Sequence, residues 1–202
     1  IKTLTYENGV ILLPGKYFQS NKNELVILGT CSKMGDDLRA EYVRANNDNI
    51  VVSIIHGNEA VNGCDAEYVS VDISGDGMNE VLALYKDGYK VYKLVYKNGF
   101  PNFVVYDEGN SMTNDIYPFP NDFNGDGKTD MLYYHPSRHW NIVFSDGKSF
   151  KEPASCSGTN LLSHVVLNPK DRYRYSLKEM QKPTVTIRTA DFDGDGASDV
   201  GV

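Results

Sequence analysis

Three nine-residue segments of the chain can be laid over one another without a gap. Residues 72–80 read DISGDGMNE, residues 122–130 read DFNGDGKTD, and residues 191–199 read DFDGDGASD. The shared frame is Asp, an apolar residue, Ser/Asn/Asp, Gly, Asp, Gly, two variable residues and a closing Asp or Glu. Repetition of this kind constrains a fold strongly, because each repeat must bury its apolar surface against a neighbouring repeat. A fourth frame, stripped of its carboxylates, is expected at residues 16–24. There Lys16 takes the place of Asp122, Tyr17 that of Phe123 and Glu24 that of Asp130, and Leu25-Val26-Ile27 continues as an apolar strand. The four frames start at 16, 72, 122 and 191.

The flanks read as strands. Glu67–Val71 and Thr184–Thr189 precede two of the frames, and Val81–Tyr85 and Met131–Tyr134 follow two. Pro118 and Pro120 predict an irregular approach to Asp122, since proline cannot donate to a ladder. Tyr89–Leu94 alternates with period two and turns at Lys97-Asn98-Gly99; His139–Phe144 does the same and turns at Ser145-Asp146-Gly147. Asn-Gly and Asp-Gly steps between alternating runs are strong hairpin signals. Each unit therefore reads as strand, acidic loop, strand, short turn, strand, hairpin, strand. Helical periodicity is weak, and only Arg172–Gln181 is predicted as a short surface helix. A four-stranded unit at this period matches a propeller blade with its loops. The expected fold is all-β: a partial β-propeller of three to four four-stranded blades across residues 1–202, with units starting near 16, 72, 122 and 191.

Composition narrows the function classes. Hydrophobic residues make up 41% of the 202, enough for a core and too many for a disordered chain. The net charge is −7 and no Lys/Arg cluster occurs, so a phosphate-neutralising face for nucleic acid is not expected. No apolar run approaches membrane-spanning length, so no membrane insertion is expected. No signal peptide is visible, and both ends read as cuts, as in a mature or truncated fragment. Cys31, Cys64 and Cys156 form no CxxC pair. A Cys31–Cys64 disulfide and three small thiols, buried or free, both remain open.

The acidic frames suit a hard cation. They hold three, three and four of the 27 acidic side chains. In residues 122–130 the odd positions carry the oxygen donors: Asp122, Asn124, Asp126, the carbonyl of Lys128, and Asp130. Calcium takes six to eight oxygens at about 2.3–2.6 Å, whereas magnesium resists dehydration and demands a strict octahedron. The same set is Asp72, Ser74, Asp76, the Met78 carbonyl and Glu80 in the first acidic copy. In the last it is Asp191, Asp193, Asp195, the Ala197 carbonyl and Asp199. Gly77, Gly127 and Gly196 stand where a sharp turn favours positive φ. Ile73, Phe123 and Phe192 are expected to anchor the loops in the core. Up to three Ca2+ ions are expected, tightest in the loop with four carboxylates at 191 and weakest in the loop at 72.

The segment Asp122-Phe-Asn-Gly-Asp-Gly-Lys-Thr-Asp130 resembles the calcium loop of the FG-GAP/VCBS repeat family. The downstream Trp140–Phe150 segment is similar to the later strands of a VCBS blade. The resemblance covers about residues 15 to 202. It implies a β-propeller, usually of seven blades, with the calcium loop linking the first two strands of each blade. Such blades occur in integrin α-subunit heads, in bacterial surface proteins and in RHS-repeat and toxin-associated proteins. Two departures stand out: the first copy lacks its ligands, and the interval from 122 to 191 is extended around Ser155–Lys182. Further blades or another chain are expected on the open edges. An EF-hand or dockerin shares the opening of the motif, but its loop leads into a helix and usually closes with an acid at position twelve.

No reactive constellation is legible. His135 and His139 are separated by Pro136 and a strand pattern, which excludes a helical metal pair, and no GxSxG, HExxH or phosphate-binding glycine loop occurs. The sequence therefore points to a non-enzymatic, calcium-stabilised binding or scaffolding module, taking a protein or glycan, within a larger secreted or surface bacterial protein. A propeller portion of a carbohydrate-active enzyme or lectin is the alternative, with Tyr133, Tyr134 and Trp140 either a sugar platform or core packing.

Overall fold

The computed structural model describes residues 10–18, 21–29, 40–46, 49–56, 66–110, 112, 117–135, 139–151, 154–155 and 188–201. Among these residues every regular element is a β-strand. The chain divides into two compact units, Ile1–Asn114 and Asp115–Val202. The segments carrying all three cysteines, His164 and the helix expected at 172–181 lie outside the described residues.

The first unit contains two four-stranded antiparallel sheets. One runs β1 (Val10–Gly15), β2 (Glu24–Gly29), β3 (Ala40–Asn46) and β4 (Asn49–Ile54) in order. The other runs β5 (Glu67–Val71), β6 (Glu80–Tyr85), β7 (Gly88–Lys97) and β8 (Phe100–Gly109). The β7–β8 hairpin turns at Asn98 (φ 54°) and Gly99 (φ 82°). Two successive left-handed residues match the right-handed twist of the strands they join. The second unit contains a sheet ordered β12 (Ala154–Ser155), β11 (His139–Val143), β10 (Asp130–His135), β9 (Tyr117–Asn121), and a ribbon of β13 (Arg188–Ala190) with β14 (Asp199–Gly201). Pro118 and Pro120 do not break β9, contrary to the sequence expectation. They lie opposite Tyr133 and Met131 on a strand at the sheet edge, the place in a sheet where proline is tolerated.

One rule of register governs all four frames. The residue just before each frame pairs with its last residue: Gly15 with Glu24, Val71 with Glu80, Asn121 with Asp130, and Ala190 with Asp199. The frame at 16–24 obeys this rule although its carboxylates at positions one, three and five are gone. Neighbouring frames are also joined in one way. The N–H of Asn79, position eight of the second frame, donates to the carbonyl of Lys16, position one of the first, at 2.7 Å. In the second unit the N–H of Ser198, again position eight, donates to the carbonyl of Asp122, again position one, at 2.6 Å.

The core of the first unit lies between its two sheets. Leu13, Val26, Leu28 and Tyr42 of one sheet cluster with Tyr68, Val81, Ala83 and Tyr92 of the other. Val26 and Leu28 follow the first frame by two and four residues, whereas Val81 and Ala83 follow the second by one and three. The sheets therefore meet through faces of opposite parity, as a head-to-tail stack of repeats requires. Burying each large aliphatic side chain contributes about 1.5–3 kcal/mol. At the end of the interface the N–H of His56 donates to the Pro101 carbonyl (2.9 Å), and the N–H of Phe103 to the His56 carbonyl (3.0 Å). In the second unit Met131, Leu132, Tyr133, Trp140, Val143 and Phe150 are buried.

Candidate functional site

The acidic loops are built from one hydrogen-bond pattern. At position one, Asp72 accepts the N–H groups of Gly75 and Gly77 at 2.7 and 2.9 Å. Asp122 accepts those of Gly125 and Gly127 at 2.8 and 2.7 Å. Asp191 accepts those of Gly194 and Gly196 at 2.6 and 3.1 Å. Wrapping the backbone around one carboxylate requires left-handed turns at both glycines, whose φ values run from 72° to 92° in the three copies. The sequence reading placed this demand on position six alone; position four shares it.

Position five closes the next turn. Asp76, Asp126 and Asp195 accept the N–H of position seven, from Met78, Lys128 and Ala197, at 2.8, 3.0 and 2.8 Å. At position three, Asn124 and Asp193 accept the N–H of the following Asp126 and Asp195 at 3.0 and 3.1 Å. The Ser74 hydroxyl donates to Asp72 at 3.5 Å.

Position nine does something the sequence reading missed. In every frame its carboxylate accepts the N–H of position two: Tyr17 to Glu24 at 2.7 Å, Ile73 to Glu80 at 3.1 Å, Phe123 to Asp130 at 3.0 Å and Phe192 to Asp199 at 2.9 Å. Because the carboxylate-poor copy at 16–24 keeps this bond, the acid clips the loop shut independently of any metal. Glu24 also takes the Phe18 N–H at 2.7 Å and the Tyr42 hydroxyl. Asp130 takes the Ser145 N–H at 2.9 Å through its other oxygen. Glu24, Glu80 and Asp130 are buried. Burial pushes the Asp130 carboxyl up and lifts Glu80 to about 7, against the pull of Lys93 and the Ile73 N–H.

The three loops differ in their cationic company. At 191–199 the carboxylates of Asp191, Asp193 and Asp195 are exposed and place one oxygen each within 4.8 Å of one another. Three convergent carboxylates without a neutralising side chain at position seven, where Ala197 stands, fit a hard oxygen-seeking cation. At 122–130 the same loop carries Lys128 at position seven, whose ammonium meets Asp126 at 2.7 Å and holds that carboxyl below the usual range. Asn124 also donates its amide to Asp126 at 3.3 Å. Lys128 meets Asp126 at position five and bridges to no second carboxylate of its frame among the described ion pairs, so Asp122 and Asn124 keep their donor oxygens for a cation. At 72–80 the cationic company comes from the neighbouring strand. Lys93 of β7 lies 3.2 Å from Asp76 and 3.3 Å from Glu80, joining positions five and nine.

Loop anchoring is uneven. Ile73 is fully buried and Phe123 partly so, but Phe192 is 61% exposed. The described ribbon beside Phe192, two three-residue strands, does not cover its ring. Tyr133 and Trp140 are buried, and Trp140 lies 5.9 Å from Phe119 between ring centroids, so these two pack the core instead of forming a sugar platform. His135 and His139 pair across the β10–β11 hairpin. An open groove of about 530 Å³ lies at the β6–β7 turn of the first unit, lined by Tyr85, Asp87, Tyr89, Lys90, Glu108 and Asn110.

No family model matches the chain, and no curated protein matches it. Among solved structures it is similar in fold to a lectin of Agrocybe aegerita, described as specifically recognising non-reducing terminal N-acetylglucosamine. That likeness has a TM-score of 0.55 at 17% sequence identity, and it covers 89% of this chain but 46% of the lectin chain. The chain thus spans just under half the length of a lectin whose all-β fold it shares.

Proposed function

We propose that the chain is a calcium-stabilised β-propeller portion of the FG-GAP/VCBS type, acting as a non-enzymatic binding or scaffolding module of a secreted or surface protein. The carrying observation is the convergence of Asp191, Asp193 and Asp195 in a loop whose hydrogen-bond pattern recurs in the frames at 72 and 122. Calcium would supply the positive charge that these carboxylates lack. In its absence their mutual repulsion opposes the fold. The chain's own contribution is preorganisation: the glycine turns and the position-nine clip hold the backbone so that the side chains at positions one, three and five meet. The test is calorimetric titration with calcium beside the Asp195→Asn variant. Heat in the wild type and the loss of one equivalent in the variant are expected; equal binding by both refutes the assignment of that loop.

A glycan is the favoured ligand class, supported by the likeness to a lectin and by the groove at the β6–β7 turn, which offers carboxylates, an amide and tyrosine edges. A glycan array probed with the calcium-loaded chain tests it. Binding that Asn110→Ala weakens places the sugar in the groove, and a blank array with retained protein capture favours a protein ligand.

A further inference from the structure

Building on the calcium reading above, we propose that Lys93 is the resident cation of the loop at 72–80, so that this copy holds its fold without metal and calcium loading is confined to the loops at 122 and 191. The ammonium of Lys93 sits between two carboxylates that the metal reading needs, Asp76 at 3.2 Å and Glu80 at 3.3 Å. It also lies 5.5 Å from the centroid of the Tyr106 ring, on whose electron-rich face a cation is favoured. Glu80 is completely buried, and its Oε1 makes no hydrogen bond of good geometry. Among the described ion pairs, the ammonium of Lys93 is the cation beside that oxygen, at 3.3 Å. A tethered cation that bridges two carboxylates of the loop competes with a divalent ion at no cost in translational freedom.

The register supports the assignment independently of the distances. Val81 pairs with Tyr92, which sets Lys93 opposite Glu80, position nine of its frame. In the first copy Leu25 pairs with Val43, which sets Arg44 opposite Glu24. That copy has Lys16 and Phe18 at positions one and three and no carboxylate set for a metal. In the copy at 122 the pairing of Met131 with Val143 sets Phe144 opposite Asp130. A basic residue at this one cross-strand position thus accompanies the copy that has lost its ligands and the copy whose ligands are already engaged. An apolar residue accompanies a copy whose ligand set fits calcium.

The experiment counts bound metal, by calcium calorimetry and terbium luminescence, on the wild-type chain and on Asp76→Asn, Lys93→Met and Asp195→Asn. Asp76→Asn is expected to leave the number of equivalents unchanged, Asp195→Asn to lower it by one, and Lys93→Met to raise it by one. In chelator, Lys93→Met should unfold at a lower temperature than wild type, and saturating calcium should restore the midpoint. Loss of an equivalent in Asp76→Asn overturns the proposal. So does a folded Lys93→Met that binds no additional metal while Asp195→Asn binds less. If Asp195→Asn binds as much as wild type, the calcium reading falls instead. The role of Lys93 is then decided by the chelator midpoint: a drop in Lys93→Met and in Lys93→Gln sustains the internal cation, and no change removes it.

Discussion

Removing the position-nine clip in the sheet that carries a fluorescent reporter gives the sharpest check on the loop architecture. Asp130 is buried and accepts two backbone N–H groups, Phe123 at 3.0 Å and Ser145 at 2.9 Å. Hydrogen bonds to a charged group contribute about 1.5–3 kcal/mol each. Burial of the carboxylate, seen in its raised pKa, offsets part of that gain, and the Phe123 N–H lies near enough to solvent to regain water. The net cost of Asp130→Ala is therefore about 3 kcal/mol, a large share of the roughly 5–15 kcal/mol by which domains are stable. With a urea dependence of about 2 kcal/mol per molar, the midpoint should fall by about 1.5 M. Trp140, the single tryptophan, is buried in the same sheet and reports the transition by fluorescence. Measurement in chelator separates the clip from any metal. Asp130→Asn, which keeps one acceptor and turns an amide toward the other N–H, should fall between the two. A chelator midpoint for Asp130→Ala equal to that of wild type, with loss seen only in calcium, would show that the acid serves metal alone and refute the reasoning.

Three further outcomes follow from the loops. Calcium at about one hundred times its dissociation constant should stabilise the chain by about 2.7 kcal/mol per loaded site, read as a raised thermal midpoint that Asp193→Asn or Asp195→Asn diminishes. Gly127→Ala should cost about 1–2 kcal/mol through the left-handed backbone alone, since its Cβ meets nothing within 4 Å. Gly125→Ala should cost a similar amount, because its Cβ would meet the Gly196 backbone at 3.4 Å, an ordinary van der Waals distance; paired urea titrations check both. Ile73→Ala should lose about 2–5 kcal/mol as a core truncation, while Phe192→Ala, at an exposed ring, should stay within about 0.5 kcal/mol of wild type by the same assay.

What the sequence disclosed was the local and the repeated. The Asp-Gly frames, the Asn98-Gly99 hairpin and the period-two run of Tyr89–Leu94 encode their geometry in adjacent residues, and they stand in the structure as turns and strands. The carboxylate-poor frame at 16–24 was legible because an apolar residue and an acid kept their spacing, and Tyr17 and Glu24 form the same clip as Ile73 and Glu80. The reach of Lys93 to Glu80 was not legible, because it depends on cross-strand register and not on chain proximity. The inward turn of the position-nine carboxylate was missed for a chemical reason: an acid in an acidic loop offers the same oxygens to a metal and to an N–H. Phe192 shows the limit of analogy between copies, since whether a ring is buried depends on how much sheet surrounds it.

The constant pairing of the residue before each frame with the frame's last residue has an evolutionary corollary. It fixes the span of every acidic turn, so insertions and deletions are pushed into the connections between sheets, where the unequal frame spacing is found. Ion affinity and architecture then become separable inheritances. On the proposed reading, a copy could trade its mineral ligand for a basic side chain by a few substitutions while the register of its neighbours stayed the same.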